Sequence, residues 1–276
     1  MNSTRPSSFP RYEAFIPELF KPLLVGPLRH YQTWIGMGWS DIVQNYRRTM
    51  FGPFWITVNL VIFATAMTFV YGALFGVPAK DYAGYVVCGM MAWMWVAALL
   101  AEVGNTFITY ASHIRSMPID KSLFIWATVY KQLVIFAHHL IVYAVLIMTG
   151  IVTVSLYTLL IIPALAVMFA LSIPVTAITA ILFARYRDLP RLVGGTVIII
   201  LMMTPIFWQP HMMTGWRSVF VYLNPIYYLI EFIRLPLLGK PMDLQVAMVV
   251  LCMTAALWVT AGVVYRRLQN YVVFWI

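Results

Sequence analysis

The side chains with the clearest potential for chemistry are an adjacent histidine pair and one isolated carboxylate. His138 and His139 stand together in an apolar stretch, and Glu102 is the only carboxylate well inside such a stretch. A histidine pair followed by Asp is typical of an acyl-transfer site, but the residue five positions after His139 is Ala144. Consecutive residues on a helix face different directions, and no carboxylate or cysteine lies four residues away. The pair therefore predicts neither an acyltransferase nor a metal site.

The chain also lacks the motif that binds the phosphates of ATP. A P-loop has Gly, four residues, then Gly-Lys-Ser/Thr. The only Gly-Lys pair is Gly239–Lys240, which Pro241 follows, and Arg234 stands where the first glycine would be. We therefore expect a protein that is not an enzyme and that holds no metal or cofactor of its own.

Aromatic side chains are the chemical groups that this chain has in abundance. Five residues step by four along one apolar stretch, namely Trp55, Asn59, Phe63, Met67 and Tyr71. Rings mixed with an amide suit sugars, which present apolar C–H faces and polar rims. The candidate substrate-channel residues are Trp55, Asn59, Phe63, Tyr71, Trp93, Trp95, Phe207 and Trp208. The alternative is that these rings only pack against neighbouring helices or lipid.

The elements that must position these groups are long apolar stretches. Hydrophobic residues make up 62% of the 276 residues and charged residues only 10%, unlike a soluble domain of this length. The stretches cover 49–79, 84–101, 122–184, 192–216 and 244–265. About 20 apolar residues cross the hydrocarbon layer, so 122–184 is long enough for two helices with a turn at 149–157. The sequence predicts an all-α integral membrane protein with six transmembrane helices.

Lysine and arginine predict the orientation of these helices. Only four of the 18 lie in the first, third and fifth connections, and the others lie in the N-terminal segment, the second and fourth connections and the tail. Connections rich in Lys and Arg stay on the cytoplasmic side, so both termini are expected there. The net charge of +9 then faces anionic membrane lipids, and no nucleic-acid partner is expected. Glu102 falls near the inner interface, as either a structural or an ion-coupling carboxylate.

The chain divides into three predicted parts. Residues 1–25 form a cytoplasmic segment without the apolar core of a signal peptide. Residues 26–51 form an amphipathic helix in the cytoplasmic interface, with Pro27 in its first turn and a weak point at Gly36 and Gly38. This helix is either a simple anchor or a lateral fence for a lipid-borne substrate. Residues 52–276 form the transmembrane domain.

The segment after the fifth predicted span has a different character. Pro205, Pro210, Pro225 and Pro236 break it into short, aromatic pieces. Short broken helices are tolerated at membrane depth only inside protein or along an aqueous cavity. We predict a re-entrant helical pair between helices 5 and 6 at the outer mouth. The alternative is an interfacial loop with a belt of Trp and Tyr.

Four motifs appear in order along the chain. They are Asn-Tyr-Arg-Arg at 45–48 leading to Gly-Pro-Phe-Trp at 52–55, Ala-Arg-Tyr-Arg-Asp-Leu-Pro at 184–190, Thr-Pro-Ile-Phe-Trp at 204–208, and Asn-Pro-Ile-Tyr-Tyr at 224–228 continuing through Glu231 and Arg234 to Leu-Pro-Leu-Leu-Gly at 235–239. Together they resemble the permease subunit of the ABC-2 type polysaccharide exporter family, which exports O-antigen, capsule and teichoic acid polymers.

The resemblance implies a homodimer in a bacterial inner (cytoplasmic) membrane, with two copies of a separate cytoplasmic ABC ATPase that binds ATP and Mg. The permease homodimer would move a polyprenyl-diphosphate-linked glycan outward through a channel between its two protomers. The stretch at 235–239 and the short tail favour O-antigen, and hence a step of lipopolysaccharide biosynthesis. Two alternatives stay open: a permease for another amphiphile, such as a capsule or teichoic acid polymer, a lipid or a drug, and a membrane-embedded transferase.

The resemblance also implies roles for particular residues. Arg47 and Arg48 lie where a substrate diphosphate would enter, although cytoplasmic anchoring explains them equally well. A short helix at 113–122, beginning near Pro118, would couple to the ATPase. The coupling residues are His113, Arg115, Pro118, Asp120 and Lys121. The periplasmic gate residues are Pro210, Tyr222, Asn224, Pro225, Tyr227, Tyr228, Glu231 and Arg234.

The predicted orientation is testable with reporter fusions. A fluorescent protein that folds only in the cytoplasm should be active when fused after Ile276, and alkaline phosphatase at the same place should be inactive. Fusions within the first connection, near Gly76, should give the reverse pattern, since that connection is poor in Lys and Arg. An active phosphatase after Ile276 would contradict the prediction.

Overall fold

The computed structural model describes residues 16–52 and 54–276. Most of the predicted segment 1–25 lies outside the described residues, as does Pro53 of the Gly-Pro-Phe-Trp motif. The described residues form helices, turns and loops, without strands. The helices are α1 (Lys21–Arg29), α2 (Tyr31–Tyr46), α3 (Phe54–Phe75), α4 (Ala79–Ala101), α5 (Thr106–Thr109), α6 (Ala111–Ser116), α7 (Ser122–Met148), α8 (Ile161–Arg185), α9 (Leu189–Met203), α10 (Ser218–Tyr222), α11 (Pro225–Leu237), α12 (Leu244–Leu268) and α13 (Val272–Trp275).

Five helical segments are long and apolar enough to cross a membrane. They are Phe54–Phe75, Ala79–Ser116, Ser122–Met148, Leu156–Arg185 and Leu244–Leu268. Helix α9 is apolar but has only 15 residues, and at 1.5 Å per residue it spans about 22 Å, less than the hydrocarbon layer. The all-helical membrane fold is therefore confirmed, and the sixth span stays a prediction.

The connection between α7 and α8 lies where the sequence predicts a turn. Helix α7 ends at Met148, and a one-turn 3₁₀ helix, Leu156–Leu160, leads into α8. The Ser155 hydroxyl accepts a hydrogen bond from the Tyr157 amide and donates one to the Gly239 carbonyl over 2.7 Å. The turn is thereby tied to the end of α11.

The N-terminal region contains two helices instead of one that begins at Gly26. The break lies at His30, and α2 runs without interruption through Gly36 and Gly38. A Cβ at Gly38 would lie 2.6 Å from the Ala127 carbonyl oxygen, so the absence of a side chain there lets α2 approach α7 closely. Pro27 lies inside α1, and Pro22 occupies the first turn. The predictions for Pro27 and for a break at the two glycines were therefore wrong.

Helix α4 is the central element of the bundle. It is buried along most of its length and contacts α3, α7, α9 and α11. The Trp95 indole N–H donates to the Ser172 hydroxyl of α8 over 3.0 Å, and its ring packs against Phe136 of α7. Because lipid is as apolar as the protein interior, close packing and such hydrogen bonds hold membrane helices together.

The chain leaves the helical conformation immediately after α9. Thr204 is extended, with ψ of 136°, because the following Pro205 disfavours a helical residue before it. Three carbonyls freed by this break, those of Pro205, Phe207 and Trp208, accept hydrogen bonds from side chains of other helices. The Pro205 carbonyl accepts from Arg234 over 2.9 Å and from the Tyr85 hydroxyl over 3.1 Å. Tyr82 donates to Phe207, and Tyr85 also donates to the Trp208 carbonyl over 3.0 Å.

Arg234 makes this arrangement possible from within α11. Its side chain is fully buried and forms an ion pair with Glu231, one turn earlier. The guanidinium carbon also lies 4.0 Å from the centre of the Tyr85 ring. A buried charge is costly unless it is paired and hydrogen-bonded. Here a carboxylate, an aromatic face and a backbone carbonyl together accommodate the guanidinium.

Substitution of Arg234 should destabilise the protein strongly. Arg234→Met leaves the Glu231 carboxylate buried without its cation and the Pro205 carbonyl with one donor fewer. Breaking a buried pair in this way costs about 3–5 kcal/mol. Glu231→Gln should cost less, because the amide oxygen still accepts from the guanidinium. Thermal denaturation in detergent, followed by size-exclusion chromatography, measures the stability of both variants. Arg217→Met, at an exposed arginine, is the control, and an Arg234→Met protein as stable as this control would contradict the assigned role.

Candidate functional site

The start of α11 is joined to the end of α9 by one asparagine. The Asn224 side-chain oxygen accepts from the Ile226 amide over 3.0 Å and caps the helix, and Pro225 occupies the first helical position. The Asn224 side-chain nitrogen donates to the Thr204 hydroxyl over 3.0 Å. Asn224 therefore fixes both where α11 begins and where it lies against residues 204–208, the interrupted segment that follows α9.

The three predicted gate tyrosines cluster around the turn between α10 and α11. The Tyr228 hydroxyl donates to the Tyr222 carbonyl over 2.9 Å, and the Tyr227 ring contacts both other rings edge-on. Pro210 begins a separate one-turn helix, Pro210–Met212, which contacts α10. The structure thus contains a helix–turn–helix unit where the sequence predicts a re-entrant pair, and its depth in a membrane stays a prediction.

The aromatic channel candidates separate into two groups in the structure. Phe63 and Tyr71 of α3 meet Phe207, with ring centres 6.0 and 5.3 Å apart, and Tyr71 stacks on it. Phe207 itself is buried, so it joins α3 to the interrupted segment. Trp93 and Trp95 are buried in α4, inside the protomer, and offer no surface.

Three further candidates lie closer to the surface. Asn59 is exposed, and Trp55 and Trp208 are half-buried. Trp55 packs edge-on against Phe51, and the Trp208 indole donates to the Met202 carbonyl over 3.3 Å. The rings open to a substrate are therefore fewer than the sequence suggests, because several serve as internal packing.

The predicted coupling segment differs from expectation in its helix. Helix α6 ends at Ser116, before Pro118, and Met117 is extended, with φ of −132° and ψ of 138°. The predicted helix start at Pro118 is wrong, because proline disfavours a helical residue before it and so ends α6 here. Pro118 and His113 remain exposed, and Met117, which the sequence analysis did not select, is 49% exposed beside them.

Two of the coupling charges have partners inside the chain. Arg115 donates to the Ile276 carbonyl oxygen, next to α13. The Asp120 carboxylate accepts from the amide and hydroxyl of Ser122, over 3.0 and 2.8 Å, and so caps α7. A Cβ on Gly26 of α1 would overlap this carboxylate. Asp120 therefore positions helices, and Lys121 beside it is half-buried.

Arg47 and Arg48 lie in the short link from α2 to α3. Both are exposed, and neither has an ion-pair or hydrogen-bond partner through its side chain among residues 16–52 and 54–276. Arg48 has φ of +68°, a conformation that residues with a side chain rarely adopt. Two exposed guanidiniums without a described partner therefore lie side by side in one tight turn.

Three residues that hold the interrupted segment in place, Tyr82, Tyr85 and Thr204, are not among the predicted site residues. A partial signal was present, because Tyr82, Tyr85 and Gly89 recur at three- and four-residue steps along α4. A Cβ on Gly89 would lie 3.2 Å from a guanidinium nitrogen of Arg234, so the glycine makes room for that side chain. Arg234 lies 145 positions after Gly89 in the sequence, so the spacing of residues in α4 could not identify it as the partner.

Two helices of the protomer leave broad apolar faces uncovered. In α3 the buried residues form a single stripe, and Ile62, Phe69 and Leu74 on its other faces are exposed. In α9 Leu201 is the one buried residue, and Leu192 and Ile198 are exposed. In a membrane such faces contact lipid or another protein.

Comparison with known proteins finds two similar permeases. An O-antigen export system permease protein RfbA of Klebsiella pneumoniae is 25% identical over 190 residues, which are 68% of this chain and 73% of that protein. A second protein of the same name and organism is 26% identical over 191 residues, with the same shares. No protein-family model matches the chain. At the level of the family, these similarities support an ABC-2 type permease.

Proposed function

We propose that this chain is the transmembrane permease subunit of an ABC transporter that exports a lipid-linked cell-surface polysaccharide, with O-antigen as the first candidate. The observation that carries this proposal is the similarity to two O-antigen export permeases over 68% of the chain. The fold supports it, since five helical segments are long and apolar enough to cross a membrane.

The energy for export comes from a separate ATPase in this proposal. The chain has no P-loop, so two copies of a cytoplasmic subunit bind ATP and Mg and hydrolyse the nucleotide. The exposed tip formed by His113, Met117 and Pro118 is the surface that this subunit contacts. Tyr110 donates to Asp41 of α2, so movement of the tip reaches the N-terminal helices.

The path of the glycan lies between two copies of the chain. A sugar polymer needs a continuous opening, and the interior of the protomer is filled by α4 and the side chains around it. The uncovered faces of α3 and α9 offer the surface on which a second copy and the substrate meet. Trp55, Asn59 and Phe63 are the channel residues that we favour, because each is at least partly exposed on α3.

The lipid-linked end of the substrate enters near Arg47 and Arg48. Charge-assisted hydrogen bonds from guanidinium to phosphate are about twice as strong as neutral ones, and here both guanidiniums are unpartnered. In this proposal the entrance lies on the cytoplasmic side of an inner membrane, beside the interface helix α2, and both termini are in the cytoplasm. The unit of α10 and α11 then forms the gate at the periplasmic end.

The first test is purification of the chain from its native membrane in mild detergent. A P-loop ATPase should co-purify at equal stoichiometry, and mass spectrometry identifies it. Its absence under several gentle conditions would contradict the transporter proposal.

Replacement of the two entrance arginines tests the substrate site. Arg47→Gln together with Arg48→Gln should slow export of the glycan about tenfold or more, because two charge-assisted contacts to phosphate are lost. Surface glycan on cells is the measurement. Membrane insertion and association with the ATPase should be unchanged.

The matched control is Arg266→Gln together with Arg267→Gln, an adjacent exposed pair at the end of α12. Both pairs contribute to the positive cytoplasmic side, so equal effects of the two double variants would indicate membrane anchoring instead of phosphate binding. Normal export by the Arg47/Arg48 variant would contradict the assignment.

A further inference from the structure

A polar cavity of about 480 Å³ lies where α2, α3, α4 and α7 meet. Side chains from all four helices form its lining. Glu102 directly follows α4, and Lys131 lies on α7. Besides the Tyr46 hydroxyl, the polar groups of the lining belong to Asn45, Asn59, Glu102, Lys131, Gln132 and His139. Asn59 is also a favoured residue of the proposed glycan path, and the other polar side chains of the cavity have no role assigned there or at the gate.

The deep wall of the cavity carries polar groups that lack partners. His139 is 1% exposed, and neither of its ring nitrogens has a hydrogen bond. Gln132 is 3% exposed, and its amide nitrogen is likewise unpaired. An unsatisfied buried polar group costs about 1–3 kcal/mol, so such groups are rare in native proteins. Two of them lining one cavity indicate that a polar molecule occupies it.

The charges of the cavity specify the kind of molecule. Glu102 and Lys131 form no ion pair with each other or with any other described residue. A lone phosphate would leave the carboxylate facing an anion, and a neutral sugar would leave both charges unpaired. Burial, and secondly the Glu102 carboxylate, raise the pKa of the Tyr46 hydroxyl, which therefore stays a neutral hydrogen-bond donor. One cation and one anion match a zwitterion.

An apolar groove of about 380 Å³ lies on the same helices α3, α4 and α7. On α7 its lining begins at Ile141, two residues beyond His139 of the polar cavity, although the two cavities share no lining residue. On α3 it extends from Thr57 to Phe69. These 13 residues rise about 18 Å along the helix axis. Val61, Val145 and Leu146 are among its walls. A polar cavity with an apolar groove further along the same helices matches a lipid.

We infer that this chain binds one phospholipid with a phosphate–ammonium headgroup, the headgroup in the polar cavity and an acyl chain along the groove. The phosphate accepts hydrogen bonds from Lys131, Gln132 and His139. The ammonium donates to the Glu102 carboxylate and to the side-chain oxygens of Asn45 and Asn59. A primary ammonium fits better than a quaternary one, because quaternary groups are held by aromatic cages and Tyr46 is the one aromatic side chain in this lining.

Native mass spectrometry of the purified full chain tests this site directly. The protein is mixed with equal amounts of phosphatidylethanolamine, phosphatidylcholine and phosphatidylglycerol, and the bound lipids are counted. Phosphatidylethanolamine should be preferred by about tenfold, which corresponds to about 1.4 kcal/mol. Lys131→Gln should lower its binding by a similar factor. Glu102→Gln should remove the preference over phosphatidylglycerol while retaining phospholipid binding.

The control is Lys240→Gln, at an exposed lysine outside the cavity, which should bind as the unsubstituted chain does. Glu102 and Lys131 are unpaired, so their neutral variants are expected to fold, and size-exclusion chromatography checks this. Equal binding of the three lipids, or variants that keep the original preference, would overturn the inference. So would displacement of phosphatidylethanolamine by an equal amount of polyprenyl diphosphate. The measurement uses neither ATPase nor glycan, so its outcome is independent of the export proposal.

Discussion

The buried contact of Arg234 with Glu231 and the Pro205 carbonyl is the constraint on which the rest of this fold depends. After α9 the backbone is non-helical, and in a membrane each unsatisfied carbonyl would cost several kcal/mol. Arg234, Tyr82 and Tyr85 satisfy these carbonyls from two other helices. The cation in turn requires Glu231, because an unpaired buried charge is more costly than an open carbonyl. The interruption of α9, the position of α11 and the burial of α4 are therefore one coupled arrangement.

This arrangement has a consequence for how the protomer can transport anything. Because α4 is enclosed by α3, α7, α9 and α11, the interior is occupied by packing and not by a pore. Surfaces that remain for function are therefore peripheral: the uncovered faces of α3 and α9, the exposed tip after α6, and the arginine turn before α3. Each of these is completed only by a lipid, a substrate or another chain. The proposed division between two permease copies and a separate ATPase is compatible with that geometry.

The few charges of this chain have two distinct kinds of environment. Arg234 and Asp120 are satisfied within the fold, where one supports an interrupted backbone and the other caps a helix. Arg47, Arg48, Glu102 and Lys131 lack such partners and lie around the end of α2 and the start of α3. Unpartnered charges grouped in this way are available to bind a ligand of opposite charge. In the two proposals the arginine turn binds a diphosphate and the cavity binds a zwitterion, so two different lipid headgroups would meet at one end of the bundle.

The apolar stretches were enough to predict an all-helical membrane protein and the turn between α7 and α8, because length and composition are local properties. Helix ends set by proline, such as that of α6, were predicted less well, since the position of a break depends on the neighbouring residue. Which side chains face lipid and which face the protein interior could not be predicted from the sequence. Trp95 and Phe63 look alike along a helix, yet one is buried and the other exposed, because lipid and protein interior are equally apolar and leave no amphipathic pattern. The donors to the interrupted segment and the polar cavity join residues far apart in sequence, so they exist only once the helices have packed.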